Sequence, residues 1–251
     1  MGAPNCLDIS NWTGPITPQQ AECWKEQGIE LVIVGLQYPS QPNNGGFPPG
    51  VAHLQIPVLL AAGIQVQVYV YLYAGANATA TTNYSIDKVA SLIPVGTLVW
   101  VDVEDKGLTA RDVWDAITAV RKRGCEAGIY TGKWFWDGYF GRTSEFSHLP
   151  LWAAHYDMIA NLSIPPFGGW AAPDIKQFKG TTEFCGVGSV DLNYADPALF
   201  STGGGGMTDL EEIEILTVGL RRAHDMLRRI QSQSAINVSD VAVELSKWQA
   251  K

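Results

Sequence analysis

The sequence contains no apolar run approaching the roughly 20 residues that a helix needs to cross a bilayer, so membrane insertion is not expected. Its start, MGAPNCLDIS, lacks the basic head and apolar stretch of a secretory signal. Accumulation where the protein is made is the expectation that follows. Basic residues are scarce, with 17 Lys and Arg against 25 Asp and Glu and a net charge of −8. They form no stripe, so binding to nucleic acid through phosphate neutralisation is not expected. Cys6, Cys23, Cys125 and Cys185 include no CxxC pair. His53, His148, His155 and His224 form no spaced cluster. Neither a metal site nor any other cofactor is therefore expected. The cysteines read as buried free thiols, with a Cys6–Cys23 bridge as the alternative.

What is present is the patterning of a packed α/β protein, with 46% hydrophobic and 17% charged residues in 251. Strand-like segments fall at 7–10, 31–37, 66–74, 98–104, 126–132, 150–157, 175–180 and 190–193. Helix candidates separate the first six, at about 17–27, 51–62, 84–92, 109–123 and 133–140. Thr109 with Asp112 three residues on has the chemistry of a helix start. Strands alternating with helices imply a parallel sheet, and eight of them a closed (β/α)8-type barrel. The last two connections are rich in Pro and Gly, so the spacing predicts an irregular barrel without full crossover helices at its end. The barrel is assigned to 1–200 and a Gly-rich linker to 201–206. A helical hairpin over 207–251 carries an apolar seam of Ile213, Leu216, Leu220, Ala223, Leu227 and Ile230.

Carboxylates gather at the ends of predicted strands. In LVWVDVED, residues 98–105, a buried strand runs into Asp102, Glu104 and Asp105. Side chains two apart in a strand share a face, so Asp102 and Glu104 point together, about 6–7 Å apart along the backbone. Asp105 points elsewhere and reads as a loop residue. Strand C-termini line the active site of an α/β barrel. A carboxyl pair placed there can divide into a protonated and an ionised member. Asp8 ends the first strand, and Asp191 lies in the last with Asn193 on its face. Barrel closure would bring these strands together. Tyr71, Tyr73, Tyr130, Trp152 and Tyr156 accompany the acids, and aromatic faces beside carboxylates suit the stacking of sugar rings.

The pieces LDISNWTG, VDVE, GIYTG, PLWAAHYD, IKQF and VDLN, in this order and each on a predicted strand, resemble the glycoside hydrolase family 25 lysozymes over residues 7–196. The resemblance implies cleavage of the β-1,4 bond between N-acetylmuramic acid and N-acetylglucosamine in peptidoglycan. It makes Glu104 the general acid and Asp8, Asp102 and Asp191 the supporting carboxylates. Tyr71, Tyr73, Tyr130, Trp152, Tyr156, Gln177 and Asn193 become candidate substrate contacts. Whether the mechanism retains, inverts or uses the substrate's acetamido group stays open. Two departures stand out. VGLQYPS, residues 34–40, replaces the family's Lys-Ala-Thr-Glu-Gly-like run, with Gln37 its polar candidate. Tyr71-Leu72-Tyr73 replaces a Tyr-His-Phe-like run.

The resemblance further suggests a phage endolysin, held in the host cytoplasm until export to the wall by a holin, or carried in a virion. The alternative is a catalytically silent glycan-binding or virion structural protein on the same barrel. For the C-terminal helices, wall targeting and homo-oligomerisation are the two candidate roles. Acidic residues early and basic residues late in the first of them suit antiparallel pairing between copies. Light scattering after size exclusion is expected to show an oligomer for the full chain and a monomer for a chain ending at Ser201. A monomer in both cases would contradict oligomerisation.

Overall fold

The computed structural model describes residues 3–36 and 50–203. The chain divides into two units, Met1–Gly205 and Gly206–Lys251, and the fold below is that of the first. The helical hairpin expected for 207–251, and Gln37, lie outside the described residues.

Eight strands close into one barrel in chain order. They are β1 (Cys6–Ile9), β2 (Leu31–Gly35), β3 (Gln65–Tyr71), β4 (Leu98–Asp102), β5 (Glu126–Gly132), β6 (Leu151–Ala154), β7 (Ile175–Phe184) and β8 (Val187–Ala195). Each of the first six runs parallel to the next. β8 is antiparallel to both β7 and β1. The reversal is local chemistry: Cys185 and Gly186 alone join β7 to β8 and both have positive φ, 52° and 73°. That is the backbone of a tight hairpin turn whose twist matches its strands. The irregular barrel end read from the sequence is thus a hairpin that takes the place of a crossover helix.

Helices α1 (Pro18–Glu26), α2 (Ala52–Ala61), α3 (Ala78–Asp87) and α4 (Ala110–Lys122) make the earlier crossovers. The α4 start is the capping box expected at Thr109 and Asp112, and Arg121 and Lys122 in its last turn oppose the helix dipole. α3 begins well before the expected Tyr84. The Asn77 side chain accepts the Ala80 N–H at 2.9 Å and starts a helix through a threonine-rich stretch of low helix propensity. The predicted 133–140 helix is a single turn, α5 (Lys133–Phe135), followed by a wide π turn over Trp136–Phe140.

Alternation along the strands separates two apolar layers. Val66, Val68 and Val70 of β3, Val99 and Val101 of β4, and Val103 just after it face the helices. Leu31, Ile33, Trp100, Tyr130, Trp152 and Ile175 fill the barrel interior. Interior tryptophans need space on neighbouring strands. A Cβ at Gly128 would stand 2.5 Å from the Trp100 ring, so glycine there lets the indole lie flat across β5. The Trp100 indole N–H donates to Gln67 Oε1 at 2.8 Å, which satisfies its one buried donor.

The cysteine expectation is corrected in part. Cys23 on α1 and Cys185 in the β7–β8 turn form a disulfide across 162 residues, whereas Cys6 and Cys125 are buried free thiols. Spacing alone pointed to no such pair, because the hairpin that carries Cys185 to α1 is a tertiary feature. The Trp24 indole N–H reinforces this contact by donating to Phe184 O at 3.2 Å.

Gly128→Ala is expected to lower stability by about 1–3 kcal/mol through overpacking against Trp100, measured by urea unfolding. An unchanged midpoint would mean that the indole does not occupy that space.

Candidate active site

The acids expected to converge do so at one end of the barrel. Asp8 ends β1's inward face and pairs directly with Asp191 across the antiparallel β1–β8 contact. Asp102 is the last inward residue of β4, level with Tyr71 of β3 and Tyr130 of β5. Glu104 follows two residues on, and its burial is intermediate where Asp8 and Asp102 are buried. Parallel strands place their C-terminal ends together, and the hairpin adds Asp191 from a strand running the other way.

One amide organises the group. Gln177 Nε2 donates to Asp8 Oδ2 at 2.7 Å and to Asp191 Oδ2 at 2.9 Å. Its Oε1 accepts the hydroxyls of Tyr130 at 2.8 Å and Tyr156 at 2.7 Å. Both donors and both acceptor positions are used, and the reversed amide would turn oxygen toward carboxylates. Asn193 repeats the device: Nδ2 donates to Asp8 Oδ2 at 2.8 Å while Oδ1 accepts the Trp152 indole N–H at 2.8 Å. Asp191 also accepts the Thr181 backbone N–H.

Burial pushes all four acids toward the protonated form. Glu104 rises to about 7 because its surroundings desolvate it. Asp102 is raised well above the carboxylate range by burial, then by the charges of Glu104 and Asp8, and its Oδ1 has no hydrogen-bond partner. Asp8 is raised by burial and by facing Asp191, against the pull of Asn193 and Gln177. Asp191 is raised by burial and drawn back by the Thr181 N–H. Like-charged carboxyls at one mouth cannot all ionise. Asp191, partly exposed and accepting two N–H groups, is the natural seat of the first negative charge. Glu104 is the member that still holds a proton near neutral pH while solvent can reach it.

The expected substrate contacts fall into two groups. Tyr156 is 56% exposed and Tyr71 half-buried, its ring 4.8 Å from that of Tyr73, so both stand at the mouth. Tyr130, Trp152, Gln177 and Asn193 are buried and form the layer behind the acids, with the Trp152 ring 4.1 Å from that of Tyr130. Asp105, read as a loop residue, accepts the Ala74 N–H at 2.9 Å and so ties the loops after β3 and β4. Beside Asp8 and Asp191 a cavity of about 330 Å³ is lined also by Trp12, Tyr69, Thr181 and Ser189. None of these four was picked out from the sequence. Tyr69 shares the inward alternation of Gln67 and Tyr71 and could have been found by it. Trp12 lies in a loop, where periodicity is silent. Within the altered second-strand run, a Cβ at Gly35 would stand 2.7 Å from the Tyr69 ring, so the phenol fills the space a longer side chain at that position would need.

Comparisons with known proteins bear on the family and the fold. The family model for glycosyl hydrolases family 25 matches residues 7–187. "Probable GH family 25 lysozyme 3" of Dictyostelium discoideum is 29% identical over 205 residues, covering 76% of this chain and 41% of its own length. "Lysozyme-like protein 5" of Caenorhabditis elegans is 32% identical over 119 residues, 44% of this chain and 55% of its own. The chain therefore spans well under two thirds of these relatives. The bacterial lysozyme of Streptomyces coelicolor superposes with a TM-score of 0.61 at 20% identity, covering 80% of this chain and 97% of its own. A family 25 glycosyl hydrolase of Streptococcus pneumoniae gives 0.59 at 21% identity, covering 77% and 87%. At such identity these two bear on the fold alone.

The raised acids set a pH dependence of stability. A carboxyl whose folded pKa is raised contributes stability below its unfolded pKa and loses it as pH rises through the folded value. For Glu104 that window runs from 4.5 to about 7, and Asp102 shifts in the same direction. The melting temperature is expected to fall between about pH 4.5 and 7, at about 2–4 °C per kcal/mol for a chain of this size. Asp102→Asn, with no proton to lose at that position, should flatten the fall. Parallel melting curves for the two proteins across that range would contradict a buried, proton-holding Asp102.

Proposed function

The chain belongs to glycosyl hydrolases family 25, and from that premise we propose that it is a peptidoglycan hydrolase, an N-acetylmuramidase. It cleaves the β-1,4 bond between N-acetylmuramic acid and N-acetylglucosamine by carboxylate acid/base chemistry. The observation that carries this reading is Glu104, held protonated to about 7 by desolvation at the mouth where Asp8 and Asp191 share the Gln177 amide. A glycosidic oxygen is a poor leaving group until it is protonated, and a carboxylic acid that keeps its proton at neutral pH supplies that proton. As the bond to oxygen breaks, positive charge develops on the anomeric carbon. Asp191, ionised and fixed by Gln177 and Thr181, lies where that charge is stabilised, and Asp8 and Asp102 keep the site's proton affinity high.

Tyr130 and Tyr156 hold the Gln177 amide from its oxygen side, and Trp152 holds Asn193, so the buried members of the set position the carboxylates. Tyr71 and Tyr156 offer faces to the glycan at the rim. The proposed setting is lysis of the bacterial wall, with a phage lysin as the context suggested by the sequence. The silent glycan-binding alternative leaves the convergence of four desolvated acids without a role.

Glu104→Gln should lower the rate of reducing-end release from purified peptidoglycan on the order of 10²–10⁴-fold while wall binding in a pull-down assay persists. Release at the parent rate would remove Glu104 from the role of acid. A parent protein that binds walls and releases no reducing ends would favour the silent alternative.

A further inference from the structure

The segment KWFWDGYF, residues 133–140, carries five aromatics, more than anchoring it requires. Phe135 and Trp136 are the anchors, 1% and 0% exposed, whereas Trp134 and Tyr139 are 59% and 51% exposed. Residues five apart on a regular α-helix diverge by about 140°. Here the turn widens: the Gly141 N–H reaches back to Trp136 O, and the i→i+5 geometry brings Trp134 and Tyr139 together. Their centroids are 6.2 Å apart with planes at 84°, edge to face. The turn is braced by Lys133, whose Nζ bonds Asp137 Oδ2 at 2.6 Å and Pro166 O at 3.3 Å.

The Trp134 indole does not point away from the barrel. Gly128 and Tyr130 are inward positions of β5, so Gly132 is the next one up, and a Cβ there would stand 2.7 Å from Trp134 Nε1 and 2.8 Å from Cδ1. Asp102 is level with Tyr130, which puts Gly132 level with Glu104 by the period of two. The indole therefore covers the inward face of Gly132, one step along β5 from Tyr130 on the side toward Glu104, on ground that only a glycine leaves open. Lys106, two residues after Glu104, sets its Nζ 4.4 Å over the Tyr139 ring and couples the loop after β4 to the turn after β5. The cavity of Asp8, Asp191, Trp12 and Tyr69 is on the other side of the mouth, at β1 and β8.

We propose that Trp134 and Tyr139 form a sugar-binding platform for the pyranose ring on the leaving side of the scissile bond, a site that rests on the hydrolase reading and deepens it. The acid must stand beside the leaving oxygen, so the sugar that departs lies on the β4–β5 side, where these rings are. The sugar that keeps the anomeric carbon lies over Asp8 and Asp191. An exposed indole with an edge-on phenol offers a flat apolar face for the C–H face of a pyranose, and residues this exposed contribute little to the core.

The test is calorimetric binding of a purified peptidoglycan tetrasaccharide to Glu104→Gln, which keeps the ligand intact. Adding Trp134→Ala should weaken binding roughly tenfold with the melting temperature unchanged. Adding Gly132→Ala instead, which displaces the indole without removing it, should weaken binding in the same direction. A shorter fragment that ends at the sugar over Asp8 and Asp191 should bind equally with and without Trp134. Equal tetrasaccharide affinity with and without Trp134, or equal loss for both fragments, overturns the platform. Trp134-dependent binding combined with no reducing-end release by the parent protein supports the platform and removes the hydrolase reading. Absence of any tetrasaccharide binding removes both.

Discussion

Gln177 has one side-chain amide and four neighbours that compete for it, and the site depends on how that competition is resolved. Its nitrogen is shared by Asp8 and Asp191, its oxygen by Tyr130 and Tyr156. No lone pair or proton is left over, so the amide cannot rotate without breaking hydrogen bonds on both sides. That fixes the spacing of two carboxyls that would otherwise repel each other. It also explains why the barrel ends in a hairpin: only an antiparallel β8 delivers Asp191 to the top of a strand next to Asp8 while Asn193 reaches the same Asp8 oxygen from below.

The loop carrying Tyr156 is secured from the other face of β7. Lys176, fully buried, bonds both Asp157 oxygens, Asn161 Oδ1 and Ser163 O. Charge pairing outside the barrel thus stabilises the position of a neutral phenol at its mouth. The carboxyl cluster itself works against folding at neutral pH, since each member is shifted toward the protonated form by burial. The disulfide between Cys23 and Cys185 closes a long loop of chain and contributes on the order of several kcal/mol through the unfolded state, which offsets part of that cost.

Much of this was legible in the sequence, and the parts that were not share physical causes. LVWVDVED announced both a buried strand and a functional end because its inward positions, Leu98, Trp100, Asp102 and Glu104, change from apolar to acidic along one face. The same face rule placed Asp8, Asp191 and Asn193. Periodicity tells which way a side chain points and not how deep along the barrel axis it lies. Trp152 and Tyr130, read as candidate substrate contacts, are buried and hydrogen-bond Asn193 and Gln177, a depth that periodicity does not give. Trp12 and Trp134 escaped because each lies outside regular strand alternation, in a loop or a short turn. Cys185 escaped because its partner lies 162 residues away. Gly35 and Tyr69 show a further limit, since the glycine on the second strand is intelligible only once a ring from the third is seen to occupy its space.

The central claim is that desolvation at the barrel mouth gives Glu104 a proton to donate at neutral pH. The most direct measurement is a carbon-13 titration of the Glu104 side-chain carboxyl in the intact protein, assigned by its loss in Glu104→Gln. A midpoint near 7 is expected from its burial. A midpoint near 4.5, the ordinary value for a glutamate, would show an acid already ionised where it is needed and would contradict the mechanism.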